Sequence, residues 1–243
     1  MNASGILHRA LTAVAAVLAT ACVDVDEEFR LTPTGAGEAA IRVSMPAGVL
    51  RLQGGEEGVE KLLDDFLTRR PGIKSMGYQV SVKNGRAHLD ARFRFDSADE
   101  LIDAMSAPAD VGLPRVVSGI LGSAKLETDW LSVRFSRVID PGESLAGARL
   151  LPGMVLGDHR IRTTLHLPAR VESSNATRVE NDGRTLVWDV RLADAVERPM
   201  HQEFIMPVPV PWLGILASAF PGLLLAGWIW FIRRRKRQGG VSA

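Results

Sequence analysis

Residues 212–232 run for 21 positions without a charged side chain and stop at Arg233-Arg234-Arg235-Lys236-Arg237. As a helix this run is about 31 Å long, which matches the hydrocarbon core of a bilayer. Ten of its residues are Leu, Ile or Phe, and at insertion scales they favour the membrane by about 3–6 kcal/mol before corrections for Gly and Pro. Pro221 is tolerated within such a segment. Trp212 at one end and Trp228 and Trp230 near the other stand where interfacial tryptophans belong, and the basic cluster 233–237 is expected to stay cytoplasmic. Any folded domain must therefore be built upstream and lie outside.

The N-terminus points the same way. Its only charge before residue 22 is Arg9, and residues 10–21 are uncharged. A helix of that length spans about 18 Å, too short to cross, so the segment reads as a secretory signal. Its end, Leu18-Ala19-Thr20-Ala21-Cys22, resembles a bacterial lipobox, with Ala19 where that motif usually carries Leu. Cleavage there makes Cys22 the lipidated N-terminus. Ala19-Thr20-Ala21 is also an ordinary Ala-x-Ala cleavage site, which would leave Cys22 as a free thiol. With two or more acyl chains, lipidation at Cys22 gives durable attachment.

The expected organisation is a lipoprotein-type signal peptide at 1–21, an exported domain at 22–206, a Pro-rich stalk at 207–211, the transmembrane segment at 212–232 and a cytoplasmic tail at 233–243. Lys and Arg number 29 and Asp and Glu 28 over the whole chain. With Arg9 and residues 233–237 set aside, 23 basic side chains face 28 acidic ones, so the exported domain is about five charges negative. That excludes the basic stripe a nucleic-acid interface needs. The single cysteine excludes an internal disulfide and a multi-cysteine zinc site.

Within the domain, Val23, Val25, Phe29 and Leu31 alternate with Asp24, Asp26, Glu28 and Arg30, and Ala39, Ile41, Val43 and Met45 alternate again after Gly35-Ala36-Gly37. This is a hairpin. The Gly35-Ala36-Gly37 turn lacks the third glycine and the following helix of a dinucleotide loop. Asp24, Asp26 and Glu28 form a row on one strand face without a calcium-chelating loop, as a solvated face does. Val59, Leu62, Leu63, Phe66 and Leu67 follow helical spacing and predict an amphipathic helix that packs on a sheet. Tyr78, Val80 and Val82, then Asn84-Gly85, then Leu89, Ala91, Phe93 and Phe95 predict a second hairpin. Ser97 and Glu100 form a capping box for a short second helix.

Trp130, Leu131, Val133 and Phe135 predict a further strand, and 161–168 with 186–192, around Asn181-Asp182-Gly183, predict a last strand pair. Residues 106–124 and 141–157 are small, apolar and Gly- or Pro-broken; they suit irregular crossings or the lining of an apolar groove. The expected fold class is α+β: an antiparallel, hairpin-rich exported domain with two amphipathic helices, plus one C-terminal transmembrane helix. Because strand 23–31 begins directly after Cys22, and Pro207-Val208-Pro209-Val210-Pro211 spans only about 15 Å, that strand is expected to lie beside the returning segment 202–206.

Thr164-Leu165-His166-Leu167-Pro168-Ala169-Arg170-Val171, Asn175-Ala176, Asp182-Gly183-Arg184 and Leu186-Val187-Trp188, together with the leader ending at Cys22, the hairpin at Gly35 and Gly37 and Phe95-Asp96-Ser97, make the chain resemble bacterial LppM-like lipoproteins. The resemblance implies an anchored protein with an exported α+β domain, a C-terminal membrane helix and a role in binding envelope lipid. It transfers no functional residue.

The chain contains no G-x-S-x-G, H-E-x-x-H or P-loop. His159 and His166 are spaced to face opposite sides of a strand. No catalytic residue, metal ligand or cofactor is therefore assigned. The expected function is noncatalytic binding of envelope lipid or a membrane-protein partner at the bacterial cytoplasmic membrane. The alternative is an envelope hydrolase whose carboxylate pair is assembled by folding.

Overall fold

The computed structural model describes residues 23–52, 54–106, 121–144 and 157–208. The alternation at the start of the chain pairs β1 (Asp24–Leu31) with β2 (Gly37–Pro46) antiparallel, and Gly35 supplies the positive φ of 84° that the turn requires. The Asn84-Gly85 turn, with φ of 52° and 75° at its two residues, joins β3 (Ile73–Lys83) to β4 (Arg86–Phe95). The remaining strands are β5 (Ser123–Thr128), β6 (Ser132–Ile139), β7 (Arg160–His166), β8 (Ser173–Ser174), β9 (Arg178–Glu180), β10 (Thr185–Arg191) and β11 (Met200–Pro207).

One sheet has seven strands in the order β3-β4-β2-β1-β7-β10-β9, and the other has four in the order β5-β6-β11-β8. Their shared core includes Phe29, Phe95, Ile139, Ile161, Leu186, Trp188 and Phe204. Helices are short: α1 (Ala47–Leu52), α2 (Gly55–Thr68), α3 (Ala98–Met105), α4 (Pro141–Ser144) and α5 (Leu192–Glu197). The amphipathic α2 lays Leu63, Phe66 and Leu67 on the core, with Phe66 edge-on to Phe93 at 6.5 Å. The expected capping box forms in part: Ser97 Oγ accepts from the Glu100 N–H at 3.2 Å, while the Glu100 carboxylate reaches back to the Asp96 N–H at 3.1 Å.

The two sheets are joined through a buried polar cluster. Strand alternation places Glu27 with Val25 and Phe29 on the inner face of β1, 1% exposed. Arg137, also 1% exposed, reaches it from β6 with two bonds, Nη1 to Oε2 at 2.7 Å and Nη2 to Oε1 at 2.9 Å. Thr163, opposite Glu27 on β7, donates to Oε2 at 2.9 Å. Gln202, opposite Arg137 on β11, accepts from Nη1 at 3.4 Å, and Arg137 Nε donates to the Leu121 carbonyl at 2.9 Å. A cross-strand pair from each sheet thus meets its counterpart, and the fork geometry of Arg137 fixes their registration.

Several expectations are corrected here. The described fold is mainly β rather than α+β, with strand outweighing helix about two to one. The cause is that β8 and β9, at two and three residues, are too short to show a period, while three of the five helices have six residues or fewer. Among the described residues no helix is long and apolar enough to cross a membrane, and the expected transmembrane segment 212–232 lies outside them. Strand 23–31 does not lie beside 202–206: β1 sits between β2 and β7 in one sheet, and β11 between β6 and β8 in the other. The partner of β1 is β7, and the pairing is parallel. Trp130 and Leu131 belong to the turn before β6, not to the strand. Most of 106–124 and 141–157 lies outside the described residues.

Candidate functional site: a charged groove on the outer face of the large sheet

The face of the seven-stranded sheet turned away from the core is organised by register. Gln79 on β3 pairs with Asp90 on β4, Asp90 with Arg42 on β2, Arg42 with Asp26 on β1, Asp26 with Arg162 on β7, and Arg162 with Asp189 on β10. One row therefore crosses six strands, and its charges alternate in sign from Asp90 to Asp189. Arg42 stands 3.6 Å from both Asp26 and Asp90, and Asp189 receives Arg162 at 3.0 Å and Arg160 at 2.6 Å. In the neighbouring row, the Asp24 carboxylate collects Arg86 Nη2 at 2.9 Å, His159 Nδ1 at 2.9 Å and the Arg160 N–H at 3.1 Å.

These rows floor an open groove of about 510 Å³ that Ser81, Lys83, His88 and Asp158 also line. Exposed ion pairs of this kind contribute only about 0.2–1 kcal/mol each. Their donors and acceptors are consequently available to a ligand at small cost. Charged and polar side chains dominate the lining, with Val43 and Leu89 between them.

Two carboxylates on this face, Asp189 and Glu28, are held ionised by their cationic neighbours. Asp189 is pushed up by burial, but the hydrogen bonds and charges of Arg160 and Arg162 outweigh this and keep its carboxyl below the usual range. The Arg30 hydrogen bond, helped by His166, lowers Glu28 against its own desolvation. A carboxyl whose folded pKa is depressed adds stability above its unfolded pKa, near 4. That stability is lost as pH falls through the folded value. Asp189→Asn is therefore expected to flatten the fall of melting temperature between about pH 5 and pH 3, and an unchanged slope would dismiss the assignment.

The sequence-assigned positions Cys22, Trp212, Trp228, Trp230, Arg233, Arg234, Arg235, Lys236 and Arg237 all lie outside the described residues. The acidic row Asp24, Asp26 and Glu28 is solvent-facing as expected, but its members are paired with cations from other strands. His159 and His166 do not face opposite sides as expected: His159 lies just before β7, outside the strand alternation, and both rings meet carboxylates of the outer face of β1, Asp24 and Glu28 respectively. Among the described residues no group of three metal-ligating side chains converges. Sequence reasoning missed Arg42, Asp90, Arg160, Arg162 and Asp189. Arg160-Ile161-Arg162 and Asp90-Ala91-Arg92 carry the alternation that marks an outward face, but not which strands adjoin. Asn175 bridges the sheets: its Oδ1 accepts from Trp188 Nε1 at 2.8 Å and the Glu203 N–H at 2.9 Å.

No protein-family model matches the chain, and no curated protein does. Among solved structures it is similar to the NMR structure of the folded domain of LppM from Mycobacterium tuberculosis, with 12% identity and a TM-score of 0.49, over 78% of this chain and 91% of that one. A likeness at that level transfers no function.

Proposed function

We propose that this chain is a noncatalytic binding module exported across a bacterial cytoplasmic membrane and attached to it through lipidated Cys22 and the uncharged segment 212–232. Its outer-face groove takes a polar ligand, either the headgroup of an envelope lipid or the hydrophilic surface of a membrane protein. The observation that carries this reading is the row of alternating charge across six strands. Such a row matches a ligand bearing both donors and acceptors, and it penalises one that is apolar or of a single charge. Hydrolysis by a carboxylate pair is less favoured, because a general acid needs a raised pKa, and Asp189 and Glu28 are both lowered.

The fold also bears on how the domain is held. The Arg160 N–H on Asp24 sets the start of β1 beside the start of β7, whereas the N–H of Glu172, beyond the far end of β7, bonds to the Ile205 carbonyl. Residues 23 and 208 thus leave the domain toward different ends of β1 and β7. A domain tethered at both lies along the membrane instead of standing on it.

Crosslinking and lipid extraction on the purified full-length protein test the reading. Co-purification of lipid, or of a crosslinked membrane protein, is expected. The double variant Arg42→Glu with Arg162→Glu, which breaks the alternation, is expected to lower that recovery by about tenfold or more. Recovery of neither lipid nor protein from the unaltered chain would defeat the reading.

A further inference from the structure

We infer that the tip of the β5–β6 hairpin, Trp130-Leu131, is a membrane contact that seats in the interfacial layer of the bilayer beside the point where the chain leaves the domain. The inference rests on the membrane attachment proposed above. Trp130 is 84% exposed and Leu131 58%. They are sequence neighbours at the apex of a tight turn, closed by the Asp129 N–H on the Ser132 carbonyl at 2.8 Å, so both side chains project from a rigid hairpin. An exposed Trp-Leu pair suits the bilayer interface, where an indole keeps its N–H wet and buries its ring.

The position of the turn identifies the occupant. The Val208 N–H donates to the Leu131 carbonyl at 2.9 Å, which ties the tip to the last described residue before the C-terminal segment. Only residues 209–211 separate Val208 from the uncharged run at 212–232. Four extended steps reach at most about 14 Å, and the interfacial region itself is roughly 6 Å deep or more on each side. With 212–232 in the membrane, the tip is therefore held within reach of the surface. Glu127 and Asp129 flank it and residues 127–131 include no Lys or Arg, so the contact depends on apolar burial and does not require anionic lipid.

The test uses the full-length protein reconstituted into phosphatidylcholine vesicles. In a background carrying Trp212→Phe, Trp228→Phe and Trp230→Phe, the remaining tryptophans are Trp130 and Trp188, and Trp188 is buried in the core. Subtracting the same protein with Trp130→Phe isolates the tip. Co-flotation with the vesicles, loss of Trp130 emission with brominated phosphatidylcholine and insensitivity to aqueous iodide are expected. Co-flotation with Trp130 quenched by iodide and not by bromolipid would overturn the inference and leave the attachment standing. Shielding from both quenchers would mean that a protein surface covers the tip, and would likewise overturn it. Failure to float would defeat the attachment reading itself, and the tip contact with it.

Discussion

Arg137→Met is expected to lower stability by about 3–5 kcal/mol, because it strands the Glu27 carboxylate between the sheets. Glu27 is cut off from water at 1% exposure, and among the described residues Thr163 would remain to hold it. The loss has two parts: a buried charge without its counter-ion, and the two bonds at 2.7 Å and 2.9 Å by which the guanidinium links β6 to β1. Chemical denaturation followed by circular dichroism reads the effect as a shift in midpoint with little change in slope. A loss below about 1 kcal/mol would mean that water or a rearranged side chain solvates Glu27, and the sheet-to-sheet staple would have to be abandoned. The informative companion is Glu27→Leu with Arg137→Met. Replacing a whole buried ion pair by apolar side chains is often neutral or stabilising, so the double variant is expected to recover most of the loss. Gln202 then becomes the residual weakness, because its Nε2 is buried and has no acceptor among the described residues.

Gly37→Val is expected to cost about 3 kcal/mol, for a steric reason. Gly37 opens β2, opposite Leu31 on β1 and Phe95 on β4. A Cβ there would run into the Arg30 carbonyl oxygen and come within 2.6 Å of Phe95 Cζ. Neither obstacle yields cheaply: the first is backbone of the neighbouring strand, and the Phe95 ring is fixed in the core at 1% exposure. Thermal unfolding of the variant beside Gly85→Ala, where an added Cβ meets nothing within 4 Å but φ is +75°, separates crowding from conformational strain. The crowded site is expected to lose more, since a left-handed turn position costs an Ala about 1–2 kcal/mol. Equal losses would show that β1 and β4 part easily at this point.

How much was legible in advance depended on the range of the interaction. The β1–β2 and β3–β4 hairpins and the helix at 59–67 were readable because their signals are local: period-two alternation, Asn-Gly turn chemistry, and apolar residues three and four apart. Sequence reasoning passed over Glu27, although it is the one charge among Val25, Phe29 and Leu31 on an otherwise apolar strand face. Its partner was not legible, since Arg137 lies 110 residues away within an ordinary alternating strand. The groove shows the same division. The outward direction of Asp24, Asp26, Arg160 and Arg162 follows from strand alternation, whereas the parallel pairing of β1 with β7 that sets Asp26 opposite Arg162 does not.

By itself the sequence determined the two long uncharged runs, 10–21 and 212–232, with the basic cluster that closes the second, and the inner and outer faces of its longer strands. Both follow from runs and periods of hydrophobicity, which are properties of neighbouring residues. The tertiary structure alone decided that the strands divide into two sheets, that a buried Glu27–Arg137 pair joins them, that five charges alternate along one row, and that Trp130-Leu131 stands beside the exit at Val208. Each of these depends on which distant strands pair and in what register. Register is fixed by the mutual packing of two faces, and no local pattern encodes it.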